Sequence, residues 1–459
     1  MKIIVVGAGE VGFHIASRLA REDKDVVVVD VNEEALQRLS ENVDVQTLSG
    51  SGSNPLILEE AGIKNAEILL AVTDSDEVNL VACMLADTLS PSTKKLVRLR
   101  SSGFDQYHET LTTQPPHIDT VINQEIEVVQ TIHRLISVPG AVDVGEFAGG
   151  RIKFVGVYLA QESRLADVRL MDLPKAIQDL HPGVRAPLIP AIVRGDQLII
   201  PKGGDYLRGG DLVYFISQEG KLTEHMAVFG KQVSVAKRIL IIGGGRVGYR
   251  LARDLERTAA SLKIIERRAA RCEYLADRLS RAMVLHGDGS DQNLLLEENI
   301  QDTDLAITLT SDEETNILAS LLVRRLGAKK TITRIDKFSY FPLMSAIGIE
   351  QVVSPRLSAI NTILQHIRRG KILSTLSIKG EEGEVMEAVA LATSDIVASP
   401  LKKIAFPKGA IVAGLIRGDT IIIPTGDTQI EPDDRVILFA TREAIPGVEK
   451  ILSVKLEYI

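Results

Sequence analysis

The sequence predicts an α/β protein with two doubly wound parallel sheets, each followed by a small α+β subdomain. The chain opens with an apolar run, Lys2–Val6, that leads into a glycine-rich turn and then a helical segment. Strand-like and helix-like segments alternate through the first 137 residues, as expected for a parallel sheet covered by helices. The same order of motifs returns from residue 238, so both halves of the chain are predicted to share one architecture.

A Gly-x-Gly-x-x-Gly motif follows the first predicted strand. Gly7 allows a tight turn, Gly9 lets the backbone approach a pyrophosphate, and Gly12 lets the next helix pack close to the strand. The helix N-terminus adds N–H donors for an anion. A second apolar run ends at Asp30, where a carboxylate can accept a hydrogen bond from a ribose hydroxyl. These features predict a Rossmann-like dinucleotide site comprising Gly7, Ala8, Gly9, Glu10, Val11 and Asp30.

The other elements of the first domain follow in order. Helices are expected from Phe13 to Ala20, from Asn32 to about Glu41, from Pro55 with Ser53 or Asn54 as cap, and after Asp74. The predicted strands are Lys2–Val6, Val26–Val29, Val43–Leu48, Glu67–Thr73 and Lys95–Leu99. Cys83 falls in an apolar helical pattern and is predicted to be a core residue.

Residues at the carboxyl ends of these strands are candidates for ligand binding, because open α/β sheets bind ligands there. The rule selects Thr73, Asp74 and Arg98 as well as the glycine turn. Asp74 and Ser75 have a second interpretation as helix caps. A charge in an apolar strand needs a partner, so Arg98 is expected to meet either a ligand phosphate or an acidic residue.

An amphipathic segment and a small domain follow the first sheet. Ile118–Ile136 is predicted as a short strand and a helix that either packs in its own domain or crosses to another domain or subunit. Lys153–Leu159 and Leu198–Pro201 are predicted strands, and Asp172–Asp179 is a predicted helix, in a region rich in glycine and proline. Gln218–Val235 is expected to be a connecting segment.

The second half repeats the first. The first glycine of the motif and the acid recur 236 residues later, as Gly243 (243 − 7) and Glu266 (266 − 30). In the small domain, Arg194 and Asp211 recur as Arg417 and Asp434. The second site is predicted to contain Gly243, Gly244, Gly245, Arg246, Val247, Glu266, His286, Thr310 and Arg334. The predicted domains are nucleotide-binding domain 1 (1–137), small subdomain 1 (138–224), linker with nucleotide-binding domain 2 (225–370), and small subdomain 2 (371–459).

The second site differs from the first in charge. Arg246 replaces Glu10 beside the expected phosphate position, and Arg267 and Arg268 follow the acid. We therefore expect NAD at the first site, and at the second either NAD or an adenine nucleotide such as ADP or ATP. His286 is expected to contact nucleotide or to cap its turn.

Composition excludes several classes of protein. A net charge of −8 without a dominant basic segment argues against nucleic-acid binding. No apolar stretch approaches the roughly 18 residues of a spanning helix, and the N-terminus runs directly into a strand without a signal peptide. The two cysteines are too few and too far apart to indicate a disulfide or zinc framework. The chain is expected to be cytosolic, with any membrane role supplied by a partner.

Over essentially its full length the sequence resembles the peripheral NAD-binding subunits of bacterial Trk potassium-uptake systems, which are built from RCK (or KTN) domains and small C-terminal subdomains. The resemblance rests on the Gly7–Gly12 motif, Asp30, the Thr73-Asp74 turn, Arg98 and the duplicated arrangement. It implies NAD(H) contacts at those residues and at their repeats, including Thr310 and Arg334. Ser311 stands where Asp74 stands and departs from the pattern.

The resemblance also implies an assembly. A homotetramer with paired RCK domains would lie on the cytoplasmic face of the membrane, bound to an integral-membrane potassium channel or transporter subunit. The ligand would then act as a signal that changes ring shape and potassium flux.

The main alternative is an NAD-dependent oxidoreductase with a duplicated cofactor domain. Such an enzyme needs an acid/base group near the nicotinamide. The small domains offer no His/Asp or Lys/Asp arrangement at matching positions, and His181 has no counterpart in the second copy. We therefore expect no catalytic activity and no catalytic residues.

Overall fold

A computed structural model describes residues 1–231, 234–368, 370–378, 382–397 and 399–453. Within these ranges, two six-stranded parallel sheets alternate along the chain with two five-stranded antiparallel sheets. The predicted fold class is confirmed.

The first parallel sheet has the strand order β3-β2-β1-β4-β5-β6 of a doubly wound dinucleotide-binding fold. Ile3 to Val6 are buried on both faces, which explains why that strand shows no apolar–polar alternation. The strands are β1 (Lys2–Val6), β2 (Asp25–Asp30), β3 (Gln46–Ser49), β4 (Ile68–Ala71), β5 (Lys94–Arg98) and β6 (Thr120–Ile122). The helices are α1 (Glu10–Arg21), α2 (Glu33–Asn42), α3 (Pro55–Glu60), α4 (Asp76–Leu89), α5 (His108–Thr113) and α6 (Gln124–Ser137).

Local capping signals set the starts of three helices as predicted. Asn32 accepts a hydrogen bond from the Ala35 amide at 3.1 Å, and Asn54 accepts one from the Leu56 amide at 3.0 Å. Ser75, rather than Asp74, caps α4 through a bond from Val78 N. Cys83 is buried in the core as predicted, and burial raises the pKa of its thiol.

The first antiparallel sheet has the order β10-β9-β11-β8-β7. Its elements are β7 (Asp143–Phe147), β8 (Ile152–Tyr158), β9 (Leu188–Arg194), β10 (Gln197–Ile199), β11 (Leu212–Gln218), α7 (Leu173–Leu180) and α8 (Leu222–Val228). The sequence predicted β8, β10 and α7 to within two residues. It missed the other three strands. In β9, Pro190 lies within the apolar run, and a proline there argues against a strand.

Gln218–Val235 is not simply a connecting segment, so that expectation was wrong. Helix α8 lies within it, and Leu222, Met226 and Val228 pack into the core of the small subdomain. The helix is only seven residues long, which is too short to produce a clear helical period.

The second half repeats both sheets with the same topology. Its strands are β12 (Arg238–Ile242), β13 (Ser261–Glu266), β14 (Met283–His286), β15 (Leu305–Thr308), β16 (Thr331–Arg334), β17 (Gln351–Val353), β18 (Lys371–Ile378), β19 (Gly383–Val389), β20 (Ala410–Arg417), β21 (Thr420–Ile422) and β22 (Arg435–Thr441). Its helices are α9 (Arg246–Leu255), α10 (Ala269–Ala276), α11 (Gln292–Glu297), α12 (Glu313–Arg325), α13 (Phe341–Ala346), α14 (Pro355–Ile367) and α15 (Ile445–Leu452).

The matching ion pairs of the small subdomains confirm this repeat in three dimensions. Arg194 binds Asp211 through two hydrogen bonds, of 2.8 and 2.7 Å. Arg417 binds Asp434 in the same way, at 3.0 and 2.8 Å. In both copies the carboxylate is almost fully buried, so the bidentate pair joins a strand end to the turn before the last strand.

The amphipathic helix after each parallel sheet crosses to the other half of the chain. Packing divides the chain into two compact units, and α14 belongs with Met1–Glu127 although it follows the second sheet. In that unit Lys94 Nζ donates to His366 O at 2.9 Å, which satisfies a carbonyl at the end of α14. In the other unit, Val129 and Ile132 of α6 share a core with Leu251 of α9. Of the two alternatives left open by the sequence, crossing to another domain is therefore correct.

The buried position of His366 predicts a pH-dependent stability. Burial, and to a lesser extent Lys94, lowers the pKa of His366 from 6.5 to about 4, although Asp119 acts in the opposite direction. As the pH falls, the unfolded chain therefore protonates His366 at a higher pH than the folded chain does. We expect the midpoint of thermal unfolding to fall as the pH decreases from 6.5 toward 4, and His366→Gln to flatten this dependence. An unchanged pH dependence in the variant would contradict the assignment.

Candidate functional site

The first glycine loop has little room for side chains. Gly7 has φ +115°, and a Cβ there would lie 2.9 Å from Thr73 N. A Cβ on Gly12 would lie 1.8 Å from Gly7 O, so only glycine permits this approach of α1 to the loop. Gly9 is different, because a Cβ there would meet no protein atom within 4 Å. Protein packing therefore explains Gly7 and Gly12, whereas the space beside Gly9 is open to a ligand.

Asp30 links the glycine loop to the end of β2. Its Oδ2 accepts from the Ala8 amide at 2.5 Å, and its Oδ1 accepts from the Asn32 amide at 2.8 Å. The carboxylate is thereby held beside the loop with further lone pairs available to accept from a ribose hydroxyl. Glu10 and Val11 form the first turn of α1 at the same edge.

Thr73, Asp74 and Arg98 meet at the carboxyl ends of β4 and β5. Arg98 Nη2 donates to Thr73 O at 3.0 Å and to Asp74 Oδ1 at 2.9 Å. Arg98 is only 5% exposed and burial lowers its pKa, an effect that the Asp74 carboxylate opposes. Of the two partners expected for Arg98, the acidic residue is present. The Nε atom of Arg98 remains buried without a hydrogen-bond partner among the described residues.

Asn79 joins Thr73 to Arg98 at these strand ends, and sequence reasoning did not assign it to the site. Its Oδ1 accepts from Thr73 N and Thr73 Oγ1, at 2.8 and 2.7 Å. Its Nδ2 donates to Thr73 O and Arg98 O, both at 3.0 Å. The fully buried amide thus joins the ends of β4 and β5. Its recurrence at the position of Asn316 was the available signal.

Glu10 is surrounded by cationic side chains. Arg356, at the start of α14, donates to Glu10 Oε2 at 3.3 Å, and Arg38 lies 3.9 Å from Oε1. His14 also approaches Oε2, at 3.9 Å, and burial lowers its pKa. The first site is therefore not simply acidic, because two arginines stand beside the position expected for phosphate. The sequence could not place them, since Arg356 is 346 residues from Glu10.

The second site has the same framework. A Cβ on Gly248 would lie 2.0 Å from Gly243 O, and one on Gly245 would meet nothing within 4 Å. Glu266 accepts from the Gly244 amide at 3.0 Å and from the Arg268 amide at 2.9 Å. Burial opposes ionisation of Glu266, but the Arg268 and Gly244 donors outweigh it, so the pKa of this carboxyl is lowered. Arg246 and Val247 begin α9, as Glu10 and Val11 begin α1.

The strand-end corner of the second site also repeats. Asn316 Oδ1 accepts from Thr310 N at 2.9 Å, and its Nδ2 donates to Arg334 O at 3.1 Å. Arg334 Nη2 binds Asp336 at 2.8 Å, and Arg334 Nε is again a buried donor without a partner in the described part of the chain. Ser311 replaces Asp74 at the second site and provides no carboxylate. Asp336, two residues after Arg334 in the chain, supplies the carboxylate for this arginine instead.

Two further side chains distinguish the second site. Arg271 donates from Nε to Gly244 O at 2.7 Å and from Nη2 to Gly245 O at 3.1 Å. Its guanidinium lies 4.3 Å from the ring centre of Tyr274, within the range of a cation–π contact. His286 bonds through Nε2 to Arg267 O at 3.1 Å, which fits the turn-capping alternative. The loop is therefore held by an arginine that the sequence analysis did not select.

Both sites fit a dinucleotide. Each combines a helix N-terminus, an open glycine and an acid fixed by loop amides. Each also has, at the matching strand end, a buried arginine Nε for which the described residues offer no acceptor. No group of three or more His, Cys, Asp or Glu residues suited to a metal ion occurs among the described residues. In those residues, likewise, no helix is both long enough and apolar enough to span a membrane.

Fold and sites together define a tandem nucleotide-binding protein with RCK-like architecture, in which each parallel-sheet domain precedes a small antiparallel subdomain. The TrkA-N domain family matches residues 3–124 and 239–355, and the TrkA-C domain family matches residues 385–453. The Trk system potassium uptake protein TrkA of Azorhizobium caulinodans is 37% identical over 462 residues, covering 100% of both chains. The TrkA homolog 2 of Methanosarcina mazei is 38% identical, covering 98% of this chain and 100% of the relative. The chain belongs to the TrkA family of Trk system potassium uptake proteins.

Solved structures share the fold at low sequence identity. The GsuK channel bound to NAD is 18% identical and aligns with a TM-score of 0.59, over 98% of this chain and 78% of that chain. The GsuK RCK domain aligns with the same TM-score over 94% of its own length. At this identity the likeness establishes the tandem RCK fold.

The closely packed Gly12 and the open Gly9 predict different changes in stability when one methyl group is added. Gly12→Ala should destabilise the first domain by about 3 kcal/mol or more, because the Cβ overlaps Gly7 O. Gly9→Ala should change stability by less than about 0.5 kcal/mol, because its Cβ has no neighbour within 4 Å. Thermal unfolding of both variants without nucleotide checks this. Equal destabilisation by the two substitutions would show that the loop geometry is misassigned.

Proposed function

We propose that this chain is the nucleotide-sensing regulatory subunit of a bacterial potassium-uptake system. NAD(H) binds at the carboxyl edges of the two parallel sheets, and binding shifts the conformation of a ring of RCK domains that gates potassium flux through a membrane partner. The observation that carries the proposal is the contact between Arg356 and Glu10, because it joins a nucleotide-binding loop to a helix from the other half of the chain.

That contact gives the nucleotide a means to act on conformation. A ligand shifts an equilibrium only by binding one conformation more tightly than another. A pyrophosphate beside Gly9 would attract Arg356 and Arg38, which now face the Glu10 carboxylate. The position of α14 then changes the affinity for nucleotide, and by reciprocity the nucleotide changes the preferred position of α14.

The family supports a membrane partner for the proposed assembly. The relatives are named as Trk system potassium uptake proteins, and the structural neighbour GsuK is a channel whose RCK domains have the same fold. The chain acts as a cytoplasmic, peripheral homotetramer with paired RCK domains bound to an integral-membrane potassium channel or transporter subunit. The ligand is a signal and is not consumed. The relatives give no support to the oxidoreductase alternative.

The second site takes NAD(H) or an adenine nucleotide such as ADP or ATP. Arg246 stands where the first site has an acid, and Arg267 and Arg268 follow Glu266. Arginine binds phosphate oxygens through two parallel hydrogen bonds, so this arrangement suits a ligand with a terminal phosphate, which carries more negative charge than the internal pyrophosphate of NAD.

Removing the acid of the first site should selectively weaken NAD binding there. Asp30→Ala loses the ribose acceptor and the acceptor of the Ala8 and Asn32 amides. We expect roughly 10- to 100-fold weaker binding at that site, measured by isothermal titration calorimetry, since hydrogen bonds to a charged group contribute about 1.5–3 kcal/mol. Glu34→Ala removes an exposed acid from the first turn of α2, the helix that follows Asp30, and should have no effect. Unchanged affinity in Asp30→Ala would mean that the ribose contact is misassigned.

The Asp30→Ala chain also isolates the second site. Titration of this variant with NADH, ADP and ATP measures the preference of that site alone. Adding Arg246→Glu should weaken ADP and ATP binding more than NADH binding. Failure of the Asp30→Ala chain to bind either adenine nucleotide would remove the ADP/ATP alternative and leave the NAD assignment to be judged by the first titration.

The regulatory role is tested by recovering the partner. Tagged protein is incubated with detergent-solubilised membranes from the source cell, with and without NADH, and bound proteins are identified by mass spectrometry. We expect an integral-membrane potassium channel or transporter subunit. Its absence under both conditions, or steady oxidation of NADH by the pure protein with a small substrate, would contradict the proposal.

A further inference from the structure

A cavity of about 470 Å³ lies at the amino edge of the second parallel sheet, opposite the edge that holds the second glycine loop. The starts of β12, β15, β16 and β17 form one side of it. The end of α6 and residues 234–237 form the other side. All of these elements belong to one compact unit, and the volume is in the range of small-molecule pockets.

The cavity combines an apolar wall with positive charge. Leu135, Ile136 and Ile332 are among its apolar residues, whereas four of its lining residues are cations, namely Lys237, Arg238, Lys329 and Lys330. Asp304 is the one carboxylate in the lining, and it is already engaged. It accepts from Lys329 Nζ at 2.7 Å and from the Lys237 and Arg238 amides at 2.9 Å. The remaining charge of the cavity is therefore positive.

Lys330 is the half-buried cation of this set, and its counterpart in the first half has a different environment. Lys94 is the matching lysine (330 − 94 = 236), and its Nζ donates to His366 O at the end of the crossing helix α14. The corresponding crossing helix of the second sheet is α6, but the ammonium of Lys330 makes no hydrogen bond or ion pair with any described residue. It lines the cavity beside Leu135 and Ile136 at the end of α6. Burial, together with the nearby Lys231, lowers the pKa of Lys330.

We infer that this cavity is a binding site for an organic anion, with its carboxylate, phosphate or sulfonate on Lys330 and Lys237 and its apolar body against Leu135, Ile136 and Ile332. An inorganic anion would leave the apolar wall wet, and a neutral apolar molecule would leave Lys330 without a counter-charge. The site is separate from both nucleotide sites. A bound ligand touches α6, the segment 234–237 and the sheet at once, so binding stabilises their association.

The fluorescent probe 8-anilinonaphthalene-1-sulfonate has the required chemistry, because it joins aromatic rings to one sulfonate. The full-length chain is titrated with it in saturating NAD⁺, which keeps the probe out of the dinucleotide sites. Lys330→Gln should weaken the tightest probe binding about tenfold, the effect of losing one charge-assisted hydrogen bond. Lys330→Arg should retain it. The matched control, Lys94→Gln, removes the equivalent lysine of the first half and should leave probe binding unchanged.

Two further measurements make the result decisive. N-phenyl-1-naphthylamine, the same body without the sulfonate, should bind at least tenfold more weakly than the probe. Acetylation of Lys330 by an N-hydroxysuccinimide ester, followed by peptide mass spectrometry, should be slowed by the probe, whereas acetylation of Lys94 should not. The inference is overturned if Lys330→Gln and Lys94→Gln have equal effects, if the neutral analogue binds equally well, or if the probe does not protect Lys330. NAD binding by Lys330→Gln, measured separately, reports on the fold and the proposed nucleotide function.

Discussion

The close approach of helix and loop at two pairs of glycines is the constraint on which the rest of the structure depends. Gly12 and Gly248 each lie so near the carbonyl of the first glycine of their motif that no side chain fits. This contact places the N-termini of α1 and α9 over the ends of β1 and β12, with their free N–H groups directed toward that edge. Asp30 and Glu266 then bond to the loop amides, and Asn79 and Asn316 tie the next strand ends together.

The crossing helices turn two similar domains into one coupled chain. Because α14 packs with the first sheet, Arg356 lies beside Glu10. A nucleotide bound at the first loop, as we propose, would therefore meet side chains from both halves of the sequence. This arrangement suits a ligand that changes conformation, because the ligand would contact a helix that is continuous in the chain with the second half. A cofactor that only transfers hydride requires no such contact.

Duplication has left the two halves alike at one sheet edge and different at the other. At the carboxyl edges the glycines, acid, threonine, asparagine and arginine recur, and the contacts of the asparagine have closely similar distances in the two copies. At the amino edges, Lys94 caps the end of α14, whereas Lys330 lines a cavity near the end of α6. The two edges differ in whether the lysine ammonium has an acceptor within the protein. A lysine that donates to a helix carbonyl is satisfied within the protein, whereas one without such an acceptor can pair with an anion from outside.

Local signals in the sequence determined the strand–glycine–helix–acid unit, its repetition at Gly243–Glu266, and therefore the fold class and the framework of both sites. They did not show β9, β11 and α8. Pro190 interrupts the apolar run of β9, and the seven-residue helix α8 has no distinctive period. They also left open whether an acid or a phosphate accompanies Arg98, and which sheet covers the apolar faces of α6 and α14. Tertiary structure decided these points by placing Asp74 beside Arg98 and exchanging the two helices. The physical reason is that an amphipathic pattern specifies that a face must be buried, whereas only the packing of distant segments specifies what buries it.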